Sequence, residues 1–165
     1  MDGKGDTGRV EHALLAELIE LEANPVQGIV VLPSTKGTVR EWNGLLCMRE
    51  GHFQGGVFPF ILKFPNAYPF SGPPSLSFLC NIFHPNVSRS GSMDIRHWIR
   101  EWVPFKSGVR DILTAARDSF LHPHVHPVDT QANPYAAESY ALDQKTFVKQ
   151  AQTNVQRARE ELESG

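Results

Sequence analysis

Two periodicities divide this chain into blocks, and the order of the blocks limits the fold more than any single residue does. Residues 8–23, GRVEHALLAELIELEA, place Val10, Leu14, Leu18 and Leu21 at helical spacing with Leu15 and Ile19 beside them, which predicts a helix with one apolar face. Thr7 is positioned to cap it. Asn24-Pro25 ends it, because a residue before proline avoids the α region. The pattern then changes. GIVVLP, VREWNGLLCM, GVFPFILKF and SLSFLCNIF read as four strands separated by turn chemistry. REGHFQGG supplies glycines where a hairpin needs positive φ, and FPNAYPFSGPP carries four prolines, which fix φ and remove donors. Helices return with SGVRDILTAARDSFLH, whose inward set is Val109, Ile112, Leu113, Ala116 and Phe120, with Ser107 as N-cap. Asn133-Pro134 is a cap followed by a first-turn proline. It opens PYAAESYAL, and DQKTFVKQAQTNVQRAREELES follows as a long, mostly polar helix. Strands in one block and helices in another predict an α+β fold: an N-terminal helix, a four-stranded antiparallel meander, then C-terminal helices.

At 165 residues the chain is expected to form one domain over 8–162, with 1–7 as a flexible N-terminus. A net charge of −2 gives no global field toward nucleic acid or an anionic membrane. Apolar runs are strand-length, so no direct membrane insertion is expected, and the N-terminus has no apolar secretory core. The two cysteines, Cys47 and Cys80, sit in apolar segments. They are expected as buried thiols of a cytoplasmic protein.

The chemistry-bearing stretch is HPNVSRSGSMDIRHWIREW, residues 84–102. It has the look of a catalytic loop, yet it holds no cysteine and no paired carboxylates. HPHVHP places His122, His124 and His126 at alternating positions. In an extended segment these share one side, as a transition-metal site would need. No Cys, Asp or Glu adjoins them, so a titratable surface loop with no metal and no cofactor is the better expectation.

The block order, FPNAYPFSGPP after the third strand and IFHPN after the fourth resemble the ubiquitin-conjugating enzymes over roughly residues 8–160. In that family the catalytic cysteine lies eight residues past the HPN asparagine, and a tryptophan lies eight beyond the cysteine. Here His84-Pro85-Asn86 is intact, the same count reaches Asp94, and eight more reaches Trp102. The frame is kept on both sides of a missing thiol. A thioester carrier needs a thiolate that is activated and can pass its acyl group on. A carboxylate is a poor nucleophile toward a thioester, so Asp94 is not a replacement. The resemblance narrows with GSMDIR, WVPFKSGVRDILTAARDSF and NPYAAESYALDQKTFVKQ, which are similar to the fused-toes (AKTIP-like) group, an inactive branch with aspartate at this position.

The resemblance implies a non-catalytic scaffold or adaptor that works through protein partners. These would be a coiled-coil Hook-like adaptor with an FHIP-type protein on endosomal membranes, or ubiquitin or an active conjugating enzyme. A rival is an active conjugating enzyme using Cys80. His84, Pro85, Asn86 and Asp94 would be vestigial, with the first three shaping the loop. The first helix carries Glu11, Glu17, Glu20 and Glu22 against Arg9. That is the wrong sign for an activating enzyme, which in active relatives meets a basic helix. The family's ligase-binding loops correspond to the region around Phe78 and to Val103-Pro104-Phe105, where active members commonly have Ser-Pro-Ala. The change enlarges an apolar patch with Phe105 as its natural anchor. Trp98, among Arg96, His97 and Arg100, is a further candidate for a partner face, whereas Trp102 is expected in the core.

Overall fold

The computed structural model describes residues 3–35, 40–127 and 130–164, and for 3–7 the backbone alone. The element order is α1 (Gly3–Ala23), β1 (Ile29–Pro33), β2 (Glu41–Cys47), β3 (Val57–Lys63), β4 (Ser75–Phe78), α2 (Val109–Leu121), α3 (Pro134–Leu142) and α4 (Gln144–Ser164). The strands pair antiparallel in chain order, β1-β2-β3-β4. Val30 faces Leu45, Leu46 faces Phe58, and Phe60 faces Phe78. The meander and the α+β class are those the periodicity predicts.

Alternation decides what each strand buries. Trp42, Leu46, Phe58, Phe60, Leu62, Leu76 and Phe78 point inward, where α2 lays Val109, Ile112, Leu113, Ala116 and Phe120 against them. Phe53, Phe58, Phe78, Phe120 and Phe147 form one aromatic cluster with centroids 4.9–6.1 Å apart. α4 closes the far side through Phe147, Ala151 and Val155, and its Asn154 side chain accepts the Phe83 N–H at 2.6 Å. That bond holds the chain as it leaves the sheet toward residues 84–94.

Several local expectations shift. α1 begins at Gly3, so Thr7 lies within the helix rather than capping it. Val10, Leu14 and Leu21 are buried, but Leu15 and Ile19 are 56% and 59% exposed. The buried stripe is thus narrower than the apolar one. α2 is capped at Gly108, whose N–H donates to the Asp111 carboxylate at 2.8 Å. Ser107 instead turns back, its Oγ accepting the Val103 N–H at 3.0 Å. Asn133 caps α3 as its sequence predicts, Oδ1 accepting from Ala136 N at 3.1 Å, with Pro134 first in the helix.

β4 ends at Phe78, short of the run that continues to Phe83. Past it the strand's outer edge is taken by residues 91–93: the Phe78 N–H donates to Gly91 O and the Met93 N–H to Leu76 O. Gly91 sits at φ +92 with its Cα side so close that a Cβ would lie 2.2 Å from Phe78 O. Only glycine fits there. Cys80 therefore lies beyond the strand, and both cysteines are half-buried rather than core residues.

Candidate functional site

His84 is fully buried in the aromatic cluster, 4.7 Å from the Phe120 ring and stacked at 5.6 Å on Phe53. Nε2 meets Ser119 O at 2.8 Å and Nδ1 accepts the Asn86 N–H at 2.9 Å. Both bonds suit one neutral tautomer. Burial, only partly opposed by the bond to Ser119, pushes the imidazole down to about 4. It stays neutral near pH 7, with both ring nitrogens committed to these hydrogen bonds. Asn86, also fully buried, clamps the next loop with both ends of its amide. Nδ2 donates to His124 O at 2.8 Å and Oδ1 accepts from His124 N at 2.9 Å. Pro85 O accepts from Asn133 N at 3.2 Å, so the HPN turn holds both the 122–127 strap and the start of α3.

Asp94 sits under that strap. Its N–H donates to Asn86 O at 2.8 Å. Its carboxylate is taken by Arg96: Oδ1 accepts from the Arg96 N–H at 3.0 Å and from Nε at 2.9 Å, and Oδ2 from Nη2 at 2.7 Å. The same Nη2 reaches Thr130 O at 2.6 Å. His126 Nε2 approaches Oδ2 at 3.5 Å, and the Asp94 side chain is left only 11% exposed. Burial raises the carboxyl's pKa, but the Arg96 bonds and charge outweigh it and hold the group ionised, below its ordinary value. A bidentate arginine and a roof leave this carboxylate paired and largely covered.

The strap carries the histidines. His122 ends α2, its N–H bonded to Asp118 O, so only His124 and His126 continue the expected alternation. The His124 ring stacks on His97 at 3.6 Å and meets His126 at 4.6 Å. Among the described residues no three His, Cys, Asp or Glu side chains are arranged to hold a metal ion.

An open groove of about 1370 Å³ is lined by none of these residues. One wall is α1, with Ala13, Ala16 and Glu20, and the other is the loop Tyr68–Phe70 with Phe105 to Asp111. Phe105 is 76% exposed and Phe70 67%, and their rings meet edge-to-face at 5.3 Å. Phe105 also has φ +66, a left-handed conformation that costs a bulky residue about 1–2 kcal/mol. Val103 and Pro104 lie on the same loop, Val103 exposed and Pro104 half-buried.

Phe78 does not belong to this surface. It is 3% exposed and packs on Phe60 and Phe120, because its register position faces the core. The exposed phenylalanine of that region is Phe70, in the proline-rich loop. Its place before SGPP, at the tip of a loop with no inward periodicity, is the signal that could have found it. Trp98 is half-buried against the core with one edge on His97, so it offers less free ring than expected. Trp102 donates from Nε1 to Pro69 O at 2.8 Å and packs on Tyr68, fixing the groove wall.

Glu17 also departs from the expected solvent-facing acidic row. Its carboxylate accepts from Tyr68 OH and, at 2.6 Å, from Val109 N. It ties α1 to the opposite side at two points, the proline-rich loop and the start of α2, and supplements the cap of α2. Burial raises its pKa despite the opposing bonds from Tyr68 and Val109. Glu11, Glu20 and Glu22 remain exposed. The Cys80 thiol is pushed up to about 11, chiefly by burial and then by the charge of Glu161, far from the thiolate a nucleophile needs.

This sheet with its proline-rich loop, buried HPN turn and cross-packed helices is the framework of a ubiquitin-conjugating fold. The chain belongs to the ubiquitin-conjugating enzyme family, whose model matches residues 13–155. It is 33% identical to human ubiquitin-conjugating enzyme E2 G2 over 92% of the chain and 97% of that protein. It is 30% identical to a protein AKTIP homolog of Nematostella vectensis and 31% to the AKT-interacting protein of Pongo abelii, over 93% and 89% of the chain. The chain spans about half the length of the AKTIP relatives, 50% and 49%. It is thus a ubiquitin-conjugating-fold variant close to the AKTIP (fused-toes) proteins. No helix among the described residues is long and apolar enough to cross a membrane.

Proposed function

We propose that the chain is a non-catalytic member of its family, a scaffold or adaptor that works by docking proteins. The observation that carries this is Asp94 at the nucleophile position, bonded to Arg96 and roofed by the strap. Acyl transfer needs a reactive group that an activated ubiquitin can reach, and Asn86, placed to help an oxyanion, is occupied by His124. The acidic exposed residues of α1 agree, since they would repel the partner that charges active relatives. The docking surface in this reading is the groove of Phe70, Phe105, Val103 and α1. Its occupants would be a coiled-coil Hook-type adaptor and an FHIP-type protein, an assembly that the kinship with AKTIP proteins supports. Such an assembly would place the chain in the cytoplasm, on endosomal membranes through its partners.

Incubation with activating enzyme, ATP and ubiquitin should give no reductant-sensitive adduct; an adduct on Cys80 or Cys47 would overturn the reading. Affinity purification from the native cell should recover a long coiled-coil protein, and loss of that protein with Phe105→Ala would assign the groove. The likeness to E2 G2 along nearly its whole length favours a second reading, a ubiquitin-pathway cofactor that binds ubiquitin or an active conjugating enzyme. Saturable NMR shifts on adding labelled ubiquitin would select it.

A further inference from the structure

Charge is unevenly spread on this chain. Overall it is net negative, yet residues 84–106 hold Arg89, Arg96, Arg100 and Lys106 against Asp94 and Glu101, and Asp94 is already paired with Arg96. Arg96 and Arg100 lie where the strap meets the Asp94 loop, whereas Lys106 lines the Phe105 groove. Arg96 is 57% exposed at its side chain although it bonds Asp94 and Thr130, and Arg100 is exposed and close enough to His124 to act on it electrostatically. Arg89 lies over the ring of Tyr135 at 5.4 Å, and Tyr135, in the first turn of α3, is 65% exposed. Val125 on the strap is 41% exposed. Arginine beside an exposed tyrosine is the composition of interface anchors.

We propose that this face, the 96–100 segment with the 122–127 strap and Arg89, is a docking surface for a carboxylate-rich segment of a partner protein, and that it binds more tightly as pH falls toward 6. The charge argument selects the partner's sign: Arg89, Arg96 and Arg100 against Asp94 and Glu101 leave a net positive charge, which attracts acid and repels base. His124 supplies the pH dependence. His97 and His124 stack at 3.6 Å with planes 9° apart, and His124 also faces His126, Arg100 and Asp94. Burial first, then His97, His126 and Arg100, disfavour a proton on His124, while Asp94 favours it. A ligand carboxylate beside the stack adds a second favourable charge. Binding then takes up protons, and by linkage affinity rises as pH falls. This surface is separate from the Phe105 groove and does not depend on what occupies that groove.

The test is fluorescence anisotropy on the full chain, with a short labelled peptide of alternating glutamate and glycine and its glutamine version as uncharged control. The glutamate peptide should bind, weaken with salt, and tighten about 3- to 10-fold from pH 7.5 to 6. Arg89→Glu with Arg100→Glu should lower affinity at least about 10-fold, while Lys149→Glu on α4 leaves it unchanged. Thermal melts confirm that each variant is folded, and Arg100→Ala alone replaces the double variant if it is not. His97→Gln with His124→Gln should keep affinity at pH 7.5 and lose the tightening. The proposal fails if the glutamine peptide binds equally, if the arginine variants bind like the parent, or if affinity is flat with pH.

Discussion

The Asp94 position and the Phe105 groove follow opposite rules. At Asp94 the polar side chains that define the site are satisfied internally: His84 by Ser119 and Asn86, Asn86 by His124, Asp94 by Arg96. At the groove, two large aromatic side chains face water, and one of them holds a left-handed backbone that nothing in a minimal loop requires. Under the proposed non-catalytic reading, the Asp94 site is free to evolve toward the most stable packing. A surface that keeps exposed apolar area and strain is under some other demand. The difference locates the demand away from Asp94.

The sharpest way to break the comparison is to titrate the sealed side. His84 is neutral in the folded chain and held at about 4, whereas it takes a proton near its ordinary 6.5 once unfolded. The unfolded state therefore binds the extra proton first, and stability falls as pH drops from about 6.5 to 4, by on the order of 3 kcal/mol. Urea unfolding at intervals across that range reads this loss. His84→Gln should flatten the slope whatever its own stability, and parallel slopes would show that His84 is not the group that titrates. Next in size is Asn86→Ala. It strands the backbone N–H and C=O of His124 and should cost about 2–3 kcal/mol. Faster hydrogen exchange at 122–127 is the local sign, and unchanged exchange there would remove Asn86 from the role of clamp.

How far the sequence exposes this contrast differs between the two sides. Register made the sealed side legible. The alternation that buries the strand aromatics follows from position along the chain, and the resemblance to the ubiquitin-conjugating family supplies the meaning of the HPN turn and of the spacing to Asp94 and Trp102. The groove was legible only in part. Phe105 stands out because Val-Pro-Phe is an apolar loop tip, but Phe78 was misplaced because a loop-adjacent phenylalanine does not reveal its pleat until β3 pairing sets it opposite Phe60. Glu17 was invisible for a related reason. On a helical wheel it joins the acidic row, and only the fold of the proline-rich loop brings Tyr68 to it across 51 positions. The Arg96 grip on Asp94 is local in sequence, yet the strap that roofs it arrives from beyond α2.

Glu17 gives the third test, within the groove wall. Glu17→Ala leaves the Tyr68 hydroxyl and the Val109 N–H without their partner and should cost about 2 kcal/mol in urea unfolding. Glu17→Gln should recover most of it, since an amide can accept from Val109 and donate to Tyr68. If alanine and glutamine are equally costly, the carboxylate's charge rather than its bonds is what α1 contributes to the groove wall.

The smallest effect on stability is expected where the effect on binding is largest. Phe105→Ala removes a side chain that is 76% exposed and touches chiefly Phe70, so the melting curve should move by less than about 0.5 kcal/mol. Phe105→Gly should be slightly better than alanine, because glycine accepts φ +66 without strain. Both variants should weaken a groove-bound partner by at least about 10-fold if Phe105 is an interface anchor, measured by pull-down or calorimetry with the recovered adaptor. Two results would refute that role. One is a large loss of stability in Phe105→Ala, which would make the ring structural. The other is unchanged partner affinity in both variants, which would leave the exposed pair Phe70 and Phe105 without the docking role on which the contrast with Asp94 depends.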